Sequence, residues 1–107
     1  MPEYQIEFIN NTDPDTDPVT DQTWTIANVV SDVLVSPEMP HSFSHSLDNP
    51  IYNITVKVAS NEATGVLIHE GDRWGLNSAS GKLTLNTSVP GTLTFTSTIA
   101  DNVAEVE

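Results

Sequence analysis

LTLNTSVPGTLTFTSTI, residues 83–99, decides the fold class. Leu83 and Leu85 alternate with Thr84 and Asn86, and Val89-Pro90-Gly91 then turns the chain. Beyond the turn, Leu93, Phe95, Ser97 and Ile99 alternate with Thr92, Thr94, Thr96 and Thr98. A period of two sends successive side chains to opposite faces of a strand, so this is a hairpin with an apolar face and a hydroxyl face. It holds no charged residue, in a chain with three basic and fifteen acidic ones. Bare hairpins of high strand propensity are pairing hazards that proteins normally guard with charge or proline. Two explanations fit. Either the hairpin lies mid-sheet with its threonines in water, or Thr84, Thr92, Thr94, Thr96 and Thr98 form an interface covered by another subunit.

The same alternation runs outward along the chain. Tyr52, Ile54, Val56 and Val58 alternate with Asn53, Thr55 and Lys57, the clearest strand of all. Tyr4, Ile6 and Phe8 alternate with Gln5 and Glu7, and His41, Phe43, His45 and Leu47 with Ser42, Ser44 and Ser46. A further strand is expected over 66–69, closed by Glu70-Gly71-Asp72. Residues 22–35 place Ile26, Val29, Val30, Val33 and Leu34 at helical spacing, yet their threonines and valines resist helix. Two short strands with a bend near Ser31-Asp32 fit them better. About seven short strands with regular turns predict an all-β fold, a single antiparallel immunoglobulin-like sandwich over residues 1–107. Its interruptions are an acidic loop at 10–22 and a proline-containing connector, SPEMP, at 36–40.

Composition narrows function. A net charge of −12 repels phosphate, which argues against nucleic acid and against anionic membrane surfaces. No apolar run approaches the ~18 residues that span a bilayer. The absence of cysteine excludes disulfides, thiolate metal sites and cysteine nucleophiles. MPEYQIEFIN has no basic segment followed by an apolar one, so no signal peptide is expected there. The Met1 start reads as a whole gene product.

Residues 75–101, GLNSASGKLTLNTSVPGTLTFTSTIAD, resemble bacterial immunoglobulin-like and cadherin-like repeat modules. The matching positions are Leu76, Asn77, Ser80, Gly81, Leu83, Pro90, Gly91, Leu93, Phe95 and Asp101. The resemblance implies a structural or adhesive sandwich without catalysis. The chain departs from such modules in having no tandem copy, and only Asp101-Asn102 where they carry fuller calcium motifs.

Asp13, Asp15, Asp17 and Asp21 make a candidate calcium site in DPDTDPVTD. Calcium takes six to eight oxygens, which alternating aspartates on a loop can supply in part. With Asp13 as position 1 of an EF-hand, Pro18 stands where glycine is needed and Trp24 where glutamate is needed, so an EF-hand is excluded. What remains is a looser cation site or a solvated acidic loop. His41 and His45, with Glu38 or His69, suggest zinc. In a strand, though, four residues separate the imidazoles by ~13 Å, too far for one ion. Trp24, Trp74, Tyr4 and Tyr52 are candidates for a sugar-stacking platform, although aromatics in small sandwiches are more often core pins. No nucleophile elbow, phosphate loop or helical His-Glu pair is present.

These readings converge on a non-enzymatic structural subunit without an obligatory cofactor. It docks, as an oligomer, onto a protein partner in a larger assembly, with a virion decoration or cement protein as the expected role. The rival is a calcium-dependent adhesion or carbohydrate-binding module at the cell surface.

Overall fold

The computed structural model describes residues 3–16, 19–78 and 81–100. They form nine strands: β1 Glu3–Asn10, β2 Gln22–Ile26, β3 Val30–Val35, β4 His41–Ser46, β5 Ile51–Val58, β6 Asn61–Glu70, β7 Arg73–Ser78, β8 Leu83–Asn86 and β9 Thr92–Ser97. Two sheets result. Sheet A has the order β4-β1-β9-β8, and sheet B the order β3-β2-β5-β6-β7. The all-β expectation holds, with two differences. Among the described residues there are nine strands rather than about seven, and β1 runs parallel to β9 while the strands' other pairings are antiparallel.

Alternation sets the core. β5 buries Tyr52, Ile54, Val56 and Val58, β9 buries Leu93, Phe95 and Ser97, and β1 buries Ile6, Phe8 and Asn10. Between the sheets Phe8 stacks on Trp24 with ring centroids 4.5 Å apart and planes 16° apart. Phe43 and Phe95 close around Phe8 at 5.5 and 6.1 Å. Burying such aromatics contributes about 1.5–3 kcal/mol each from area alone, which compensates for a modest apolar content.

Residues 22–35 are strands, as expected, but the bend lies earlier. Asn28 holds φ 69, and Val29 N–H donates to Ile26 O at 2.9 Å, so the chain reverses at 27–29, while Ser31 and Asp32 lie within β3 at its register shift, Asp32 with φ 55. Asparagine tolerates this left-handed region better than serine or valine. The SPEMP connector is a four-residue turn: Met39 N–H donates to Ser36 O at 3.1 Å, with Pro37 second and Glu38 third at φ 68. The β8–β9 turn repeats the pattern, with Thr92 N–H to Val89 O at 3.1 Å, Pro90 second and Gly91 third at φ 77. Proline then a positive φ is the type II signature. The connector carries the chain from sheet B to sheet A, where β4 lies against β1, and β5 returns to sheet B beside β2.

Candidate functional site: a hydroxyl and amide plate on sheet A

β9 lies inside sheet A between β1 and β8, and β8 is an edge. The mid-sheet explanation therefore applies to β9, while β8 ends the sheet. Strand register aligns the outward residues into rows. Ser44, Gln5 and Thr92 form one; Ser42, Glu7, Thr94 and Asn86 the next; Ile9, Thr96 and Thr84 the third. Thr84 is exposed, Thr92, Thr94 and Thr96 are half-buried, and Thr98 continues the alternation just past β9, exposed. Four of the five threonines thus share a face with serines, two amides and a carboxylate.

Charge divides the molecule. No lysine or arginine lies on any strand of sheet A. Lys57 and Arg73 belong to β5 and β7 of sheet B, and Lys82 precedes β8. On the plate the carboxylates are Glu3, at its margin beside Ser46, and Glu7, near its centre. Ser44 Oγ donates to Gln5 Oε1 at 2.9 Å, which fixes one row. Such a surface can exchange many hydrogen bonds while desolvating little formal charge; low charge is a trait of contact cores, whose aromatic enrichment this face lacks.

Sequence reasoning placed the threonines but missed Gln5, Glu7, Ser42, Ser44 and Asn86. Their alternation marks each as outward-facing. Nothing local reveals that β1 and β4 join the hairpin's sheet.

The acidic loop is organised from its base. Asn10, 4% exposed, donates through Nδ2 to Thr20 O and Val35 O, both at 2.8 Å. Its Oδ1 accepts Thr12 N–H at 3.1 Å and Thr12 Oγ at 2.6 Å. Asp13 Oδ1 accepts Asp15 N–H at 2.9 Å, an Asx turn, and Asp21 Oδ1 accepts Ser36 Oγ at 2.7 Å. Asp13 and Asp15 are exposed, while Asp17 lies outside the described residues. Among the described residues no cluster of three or more histidines and carboxylates is positioned to hold a metal ion. His41 packs on Phe8 at 6.3 Å and Phe43 at 5.7 Å, and His45 Nδ1 lies 2.7 Å from Ser46 O. His69 is in the other sheet, stacked on Trp74 at 4.5 Å.

Trp24, Tyr52 and Trp74 are buried, and Tyr4 is half-buried with its ring edge-on to Trp74 at 5.9 Å. Of the resembling segment, Ser80 and Asp101 lie outside the described residues. No family model, curated protein or solved structure matches the chain.

Proposed function

We propose that this protein is a non-enzymatic structural subunit that docks onto a larger protein assembly through the outer face of sheet A. A virion decoration or cement protein is the role it fits best. The observation that carries the reading is the cation-free plate of hydroxyl and amide rows around Glu7. Four strands about 4.8 Å apart and about 20 Å long give a plate of about 400 Å², roughly half of the ~800 Å² each partner buries in a standard interface. Docking therefore engages neighbouring loops or more than one copy. Two packed, mostly antiparallel sheets of short strands support an immunoglobulin-like architecture. Asp32, Glu62 and Glu70 lie on strands of sheet B rather than on the plate, and such charge keeps the assembly soluble.

Co-sedimentation with particles purified from the native source tests it. Thr96→Arg, a bulky cation in the plate, should lower particle binding at least tenfold without moving the melting temperature. Thr55→Arg on sheet B should bind as the wild type does. A wild-type protein that stays with no particle overturns the reading.

A further inference from the structure

Residues 41–45, His-Ser-Phe-Ser-His, read identically in both directions. They occupy β4, an edge of sheet A that pairs only with β1 among the described residues. That pairing covers six consecutive positions with no register shift, so the edge is straight. Each of the other edges carries a guard. β3 has a register break against β2 and bears Asp32 at φ 55. β7 bears Arg73, and β8 has only four residues. β4 has no acid, no lysine or arginine, no bulge and no proline within it, and Pro40 stands just before its start. Unguarded straight edges are templates for strand pairing.

The inner side of β4 is also incomplete. Ile6 and Phe8 on neighbouring β1 are fully buried, whereas Phe43, opposite Ile6, is only half-buried against the core. Another strand beyond β4 would complete the cover over Phe43.

We propose that β4 of one copy pairs antiparallel with β4 of a second about a twofold axis at Phe43, joining two four-stranded sheets into one of eight strands. In this register Phe43 faces the partner's Phe43, Ser42 faces the partner's Ser44, and His41 faces the partner's His45. Any strand meets its own copy in this reciprocal way about a twofold axis, and β4 brings no acid, lysine or arginine to the facing positions. The ladder ends at Pro40, which has no N–H to donate. Twofold homodimers are the commonest oligomers, and β4 sets no like formal charges opposite its own copy, so a second copy is the occupant.

The net charge of −12 does not forbid this. The nearest carboxylates are Glu38 and Asp48 in the segments flanking β4, which the register brings toward each other at the two ends of the ladder; Glu3 and Glu7 sit on β1. Across the joined sheet the two β1 strands are three spacings apart, about 14 Å, beyond the ~8 Å screening length at physiological salt. The dimer should therefore tighten as salt rises, the reverse of an interface built on ion pairs. The inference stands apart from the docking reading, though a joined sheet would double the plate to about 800 Å².

Sedimentation equilibrium of the full chain, from micromolar to millimolar and at low and physiological salt, reads the association. Two variants at the same positions test the register. Ser42→Lys with Ser44→Lys sets like charges opposite each other and should weaken the dimer at least tenfold. Ser42→Lys with Ser44→Glu sets opposite charges across the axis and should restore it, while circular dichroism confirms folding of both. A wild type that is monomeric throughout overturns the proposal. So does a dimer that both variants keep equally, or both lose.

Discussion

Gln22 accepts the indole N–H of Trp24 at 3.0 Å. Its own amide nitrogen donates to the carbonyls of Ser97 and Ile99, both at 3.1 Å. Gln22 is fully buried on β2, so this one side chain ties sheet B to the end of β9 in sheet A. Gln22→Leu would leave the Trp24 indole N–H and the Ile99 carbonyl without these partners, while Ser97 O keeps the Asn11 N–H at 2.9 Å. An orphaned buried group costs about 1–3 kcal/mol, so for two such groups the loss should be about 1–3 kcal/mol after the leucine's own burial is credited. Urea unfolding measures it, and a loss below about 1 kcal/mol would show that the clasp contributes little.

Asn10 is the matching tie for the acidic loop, joining Thr12, Thr20 and Val35. Asn10→Ala should destabilise by about 2–3 kcal/mol and open residues 11–21 to limited proteolysis. The loop base is already closed by amide and hydroxyl bonds, and the Asp13 carboxylate already caps its own turn. Millimolar calcium should therefore leave the melting temperature unchanged. A rise of several degrees, lost on adding chelator and on replacing Asp13 or Asp21 with Asn, would place a cation in the loop.

Glu38 holds φ 68 at the turn position where the second proline turn uses Gly91 at φ 77. A side-chain-bearing residue there costs about 1–2 kcal/mol in strain, and glycine costs about 0.4–1 kcal/mol in unfolded-state entropy. The strain is the larger effect. Glu38→Gly should stabilise by about 0.5–1 kcal/mol in urea titration, and destabilisation would contradict the turn geometry.

The sequence made the strands legible where hydrophobic residues alternate without interruption, as in β5 and β9. β7 was not legible, because RWGLNS offers only Trp74 and Leu76 to the core, with Gly75 between them. The bend was half legible: the chain reverses at 27–29 through Asn28 at φ 69, while Ser31-Asp32, where polarity points, forms the register shift of β3 with Asp32 at φ 55. Sheet membership escaped altogether. A period of two tells which way a side chain points but not which strand lies alongside, so the crossing of β4 to β1 and the parallel pairing of β1 with β9 emerge only in three dimensions. The plate was half visible for that reason: its threonines belong to one hairpin, and its serines, amides and Glu7 come from elsewhere in the chain.

Carbodiimide labelling of Glu7 and Glu62, in the free protein and on its purified assembly, addresses docking most directly. Glu7 lies within the plate of sheet A, and Glu62 is exposed on β6 of sheet B. The account predicts that assembly abolishes labelling of Glu7 and leaves Glu62 as reactive as before. Protection of Glu62 with Glu7 still labelled would contradict it.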